Sequence, residues 1–92
     1  MGSYPNPFNP ATTIRFQLAT AARVELTVFD VRGAIVSRLL QGERSAGQHA
    51  VIWDGLDDSG RPAASGVYLA RLRVRERGGW RQSFTQRMTL IR

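Results

Sequence analysis

The 92-residue sequence contains no cysteine, so it can form neither a disulfide framework nor a thiolate metal site, and compartment cannot be read from its thiols. It contains no lysine either. All 13 basic residues are arginine against seven acidic ones, which leaves a formal charge of +6 carried by permanently ionised, planar guanidinium groups. A surplus of this kind attracts anionic surfaces such as lipopolysaccharide, acidic glycans or nucleic acid, and charge alone does not choose among them. No apolar run approaches the roughly 20 residues that a membrane-spanning helix needs, so no transmembrane segment is expected. The one histidine, His49, has no second histidine or cysteine to complete a ligand set, and no serine sits in a nucleophile elbow. No catalytic residue, metal site or cofactor is expected, and an enzyme is excluded on those grounds.

What is present is a succession of short alternating segments. Met1-Gly2-Ser3 reads as a cloning remnant, and residues 4–92 as a single domain, because a chain this short has room for only one core. Residues 4–11 form a proline-rich lead-in, with Pro5, Pro7 and Pro10 removing donors and barring a helix or a central strand. Phe8, its large apolar group inside that rigid stretch, is expected to fold back onto the domain as a structural anchor. From Thr13 to Leu18, Ile14, Phe16 and Leu18 alternate with polar residues, and from Arg23 to Phe29, Val24, Leu26 and Val28 do the same. Period two means half-buried strands.

A turn at Asp30-Val31-Arg32-Gly33 leads into a third strand over Ala34 to Leu40, whose mixed period leaves helix as an alternative. Gln41-Gly42 is expected to end it. Gln48 to Trp53, Gly66 to Arg75 and Trp80 to Ile91 complete six strands, and a seventh is conceivable near Ala63. Six to seven short strands separated by turn signals predict an all-β fold, an antiparallel β-sandwich of immunoglobulin-like type.

In the last hairpin, Tyr68, Ala70, Leu72 and Val74 face Phe84, Met88 and Leu90 only if Leu72 pairs with Phe84 and Tyr68 with Met88. A three-residue loop of Arg77, Gly78 and Gly79 provides that register unless a bulge intervenes. Between Trp53 and Pro62, Asp54, Asp57 and Asp58 lie among glycines. Such carboxylates can wrap calcium, but the spacing is not that of an EF-hand, and turn capping is the expected role. Arg71, Arg73, Arg75 and Arg77 recur at every second residue and project from one face, joined by Arg81 and Arg87 from the next strand. Interleaved exposed aromatics for base stacking are not expected there, so no nucleic-acid partner is expected. Trp53 is expected in the core and Trp80 over the hairpin end, which disfavours the planar aromatic row of a carbohydrate-binding module.

The run Tyr4-Pro5-Asn6-Pro7-Phe8-Asn9-Pro10-Ala11-Thr12-Thr13-Ile14 resembles the opening motif of type A C-terminal sorting domains of the type IX secretion system. The Val28 to Gly33 turn, the Gly47 to Asp54 strand, the Ser59 to Pro62 and Gly66 to Tyr68 passages, and the closing Gln86 to Arg92 match in order. The same pattern is shared with the immunoglobulin-like domain of flagellar hook-capping proteins. The resemblance implies a non-catalytic sorting and cell-surface attachment module of secreted enzymes in Bacteroidetes-like bacteria. Its partners would be an upstream cargo domain of the same chain, secretion machinery proteins and anionic lipopolysaccharide, and its destination the cell surface or the medium by way of the periplasm. Met88, Leu90, Ile91, Arg92 and Arg87 correspond to the segment that such domains present for sorting.

Overall fold

Alternation of apolar and polar residues becomes strands in the computed structural model, which describes residues 1–7, 9–76 and 79–92, without the side chains of Glu76, Arg81 and Gln82. The strands are β1 (Gly2–Tyr4), β2 (Thr12–Leu18), β3 (Ala22–Asp30), β4 (Ile35–Arg44), β5 (Gly47–Trp53), β6 (Gly66–Glu76) and β7 (Gly79–Leu90). A three-stranded sheet, β1-β2-β5, faces a four-stranded sheet, β4-β3-β6-β7, and every pairing is antiparallel. This is the expected sandwich. Its core is Ile14, Phe16 and Leu18 from β2, Val24, Leu26 and Val28 from β3, and Trp53, Tyr68, Ala70, Leu72, Val74, Met88 and Leu90.

The extra strand is not near Ala63, where only an isolated Leu56 to Pro62 bridge forms. It is β1, which pairs Gly2 with Arg15 and Tyr4 with Thr13, so the residues set aside as a remnant extend the smaller sheet. β4 is also longer than expected and runs on through Gln41-Gly42 to Arg44. Its mixed period has a cause. The β3–β4 register shifts between Leu26 and Thr27 and again between Val28 and Phe29, and the residues left over on β4 are Leu39 and Val36. Each bulge resets the alternation, so Leu39 and Leu40 both pack against the core.

The β6–β7 register is the expected one, with Leu72 opposite Phe84 and Tyr68 opposite Met88. The closure differs: a shift after Val74 sets Arg75 opposite Trp80 and Glu76 opposite Gly79, whose φ of 126° suits glycine alone. Arg77 and Gly78 lie outside the described residues, as does Phe8, whose expected anchoring is therefore not described. Phe84 corrects another expectation, because it is 45% exposed. It sits on an edge strand, and β1, the strand of the small sheet that approaches β7, is only three residues long. The far half of the hairpin outruns its cover.

Both edges of the larger sheet are covered by side chains from loops. At β7 the Asn6 amide donates from Nδ2 to the Arg87 carbonyl (3.0 Å) and accepts at Oδ1 from the Thr89 amide (3.0 Å). It thereby imitates one rung of a further strand. At β4 the Asp58 amide donates to the Val36 carbonyl (2.9 Å), and its Oδ1 accepts from the Arg38 amide (2.9 Å). Pairing groups that would otherwise recruit a foreign strand are blocked at those points.

Candidate functional site

The outer face of the larger sheet carries the arginines. Along β6 they are Arg71, Arg73 and Arg75. Across the register, β3 contributes Arg23 opposite Arg75, Glu25 opposite Arg73 and Phe29 opposite Leu69, while β7 adds Arg87 on the other side of Leu69. The guanidinium of Arg71 lies 4.6 Å from the centre of the Phe29 ring, and that of Arg73 lies 4.5 Å from the Trp80 ring. Arg73 also pairs with Glu25 at 3.5 Å. Two of the expected basic residues are therefore held over aromatic rings, a contact that restricts where their guanidinium groups can go. The side chain of Arg81 lies outside the described residues. Sequence reading placed the arginines on one face but missed the rings beneath them, because Phe29 is far away along the chain and Trp80 joins the face only through the bulge.

The end of β7 forms a second assembly. Met88 and Leu90 are buried in the core, so in the folded domain their side chains are not displayed, while Arg87 and Ile91 are exposed. Arg92 reaches across to the loop between β5 and β6. Its amide donates to Ser65 Oγ (2.9 Å), Nε donates to the Ala63 carbonyl (2.5 Å) and Nη2 to the Gly55 carbonyl (2.7 Å). Gly55 is buried with a φ of 78°, and a β-carbon there would stand 2.7 Å from the Pro10 carbonyl and 3.0 Å from Arg92 Nη2. The lead-in segment, the aspartate loop and the end of β7 thus converge on one glycine.

Beneath this junction lies Trp53, fully buried, with its indole Nε1 donating to the Leu56 carbonyl (2.9 Å) and Tyr68 packed edge-on at 5.1 Å. The Tyr68 hydroxyl donates to the Ala64 carbonyl (2.6 Å) four residues upstream, the tyrosine corner of immunoglobulin-type sandwiches. Burial raises its pKa above the ordinary 10.0. The Asp30 carboxylate adds to that rise, and the Arg92 guanidinium opposes it.

The aspartates cap turns. Asp54 Oδ1 accepts from the Leu56 amide, Asp57 Oδ1 from the Ser59 and Arg61 amides, and Asp30 Oδ1 from the Arg32 and Ala34 amides. Asp58 is engaged by Arg38 through both its oxygens. His49 donates from Nε2 to the Ser45 carbonyl (2.8 Å) and stacks on Phe16, which gives it a structural place in β5.

A family model for the FlgD Ig-like domain matches residues 6–78. The chain belongs to that family. Among solved structures, FlgD of P. aeruginosa is 25% identical with a TM-score of 0.71, over 86% of this chain and 60% of its own. Latent dimeric PorU of Porphyromonas gingivalis is 23% identical with a TM-score of 0.79, over 97% of this chain and 9% of its own. PorZ, a surface component of the type IX secretion system of the same bacterium, is 25% identical with a TM-score of 0.58, over 98% of this chain and 11% of its own. No curated protein matches the sequence. This FlgD-type Ig-like domain therefore spans about three fifths of one relative and about a tenth of the two larger ones.

Proposed function

We propose that this FlgD-type Ig-like domain is a non-catalytic C-terminal sorting and surface-attachment module, which directs an upstream cargo domain across the bacterial outer membrane by binding secretion machinery. The observation that carries this reading is the meeting of two segments. The stretches that resemble the sorting family, Tyr4 to Ile14 and Gln86 to Arg92, lie near opposite ends of the chain, yet Asn6 bonds to both Arg87 and Thr89, 81 and 83 residues away. One composite end of the sandwich therefore displays both motifs, with Arg87 and Ile91 exposed on it. The arginine-bearing face offers attraction to anionic lipopolysaccharide at the cell surface. The presence of this fold in a type IX surface component supports the same reading.

The family match favours one rival, a structural domain of hook-capping type. A carbohydrate-binding module finds less support. Trp53 is buried, Trp80 lies beneath Arg73, and the exposed rings of Tyr4 and Phe84 belong to different sheets. The test is a reporter joined ahead of Tyr4 in a host with a type IX system. The intact domain is expected to bring the reporter to the cell surface, and the double variant Arg87→Ala, Ile91→Ala, which alters only exposed side chains, is expected to leave it in the periplasm. Periplasmic retention with the intact domain would reject the sorting function, and equal delivery by both would remove these two side chains from it.

A further inference from the structure

Among the described residues, the outer face of the larger sheet places six guanidinium groups, from Arg23, Arg38, Arg71, Arg73, Arg75 and Arg87, against the carboxylates of Glu25 and Glu43 and that of Asp58, which pairs with Arg38. Arg23 and Arg75 stand directly opposite each other, an arrangement that costs stability in a sheet. Arg71 makes no ion pair among the described residues, and its buried Nε has no hydrogen-bond partner. Stacking on Phe29 and Trp80 has already restricted Arg71 and Arg73, so a ligand that engages their remaining N–H groups loses less conformational freedom on binding. At one end of the face, Phe29, Asp30, Val31, Leu69, Arg71 and Thr85 are among the residues that line a groove of about 280 Å³, room for one apolar side chain between the Arg71 cation and the Asp30 carboxylate.

We propose that this face binds an extended acidic polypeptide strand of a partner protein. The period decides the class of ligand. Arg71, Arg73 and Arg75 follow one another at every second residue of β6, about 6.7 Å apart, and alternate side chains of an extended peptide repeat at the same distance. Carboxylates at every second position therefore stay in step with the arginines along the strand, and an apolar residue at one end enters the Phe29 groove. Single-stranded nucleic acid and neutral sugars are held largely by stacking on open ring faces, whereas here the Phe29 and Trp80 rings each lie under a guanidinium. The inference does not depend on the sorting function.

Fluorescence anisotropy at about 0.1 M salt, where surface charges more than about 10 Å apart are largely screened, tests it. The probes are two labelled peptides as long as β6, 11 residues, of one composition: one with aspartate at alternate positions, the other with its aspartates in one block. The alternating peptide is expected to bind about tenfold more tightly, a difference of about 1.4 kcal/mol. Arg71→Gln and Arg75→Gln are each expected to weaken it several-fold, and Arg15→Gln, exposed on the other sheet, to leave it unchanged. Should Arg71→Gln fail to fold once its contact with Phe29 is gone, Arg75→Gln, which has no ring contact among the described residues, carries the comparison. Equal binding of the two peptides would overturn the proposal. So would an equal loss with Arg15→Gln, or displacement of the peptide by a lower concentration of a sulfated oligosaccharide of equal charge.

Discussion

Gly55 is the position where a single β-carbon has the largest consequence. Alanine there would have to adopt a φ near 78° and also stand 2.7 Å from the backbone oxygen of Pro10, which cannot swing away as a flexible side chain can. Gly55→Ala is expected to cost about 1–3 kcal/mol or more, read as a lower urea midpoint at unchanged slope. The sequence offered only a glycine after Trp-Asp, and nothing local announced that Arg92 and Pro10 would close over it. Tyr68 makes a different prediction. Its phenol is held neutral, mainly by burial, so its folded-state pKa lies above the unfolded value. Stability from this group is complete below pH about 10 and is lost as pH rises through the folded value. Tyr68→Phe should flatten the decline in melting temperature above pH 10, while costing about 1 kcal/mol at neutral pH for the bond to Ala64. A decline of equal steepness in the variant would assign the alkaline sensitivity to other groups.

Among the elements, β2, β3, β5, β6 and β7 were legible because each keeps its alternation over most of its length, and burial follows that alternation except at Phe84. β4 was blurred by its two bulges, since a bulge is chosen by pairing with a neighbour and leaves no mark on the strand's own sequence. β1 carried no signal at all in three residues. Asn6 was equally silent: within Pro-Asn-Pro it is only part of the proline-rich lead-in, yet it serves as the rung that ties that segment to β7. Asn6→Ala leaves the Thr89 amide and the Arg87 carbonyl without this partner and should cost about 1–2 kcal/mol. Hydrogen exchange at Thr89 is expected to accelerate, with protection of the central β3 and β6 amides falling only by the global loss. Unchanged exchange at Thr89 would show that the segment does not hold this edge.

For the molecule as a whole, β7 is both the candidate sorting strand and a wall of the core. Deleting everything from Phe84 onward removes Met88 and Leu90, each worth about 1.5–3 kcal/mol of burial, together with the ladder to β6 and the Arg92 bonds. Against a total stability of about 5–15 kcal/mol the truncated chain should be unfolded, with no cooperative thermal transition in circular dichroism. Sequence alone determined the class of fold, the apolar faces and the β6–β7 register, because period two and the requirement that like faces meet are local properties that bind strands in advance of any contact. It also placed Arg71, Arg73 and Arg75 on one side. Tertiary structure alone decided that Phe84 lies outside the core, that Phe29 and Trp80 support the arginines, and that Asn6, Gly55 and Arg92 join the two ends of the chain. Those outcomes depend on the relative lengths of facing sheets and on where loops cross, and such distances between remote segments are not written in any local pattern.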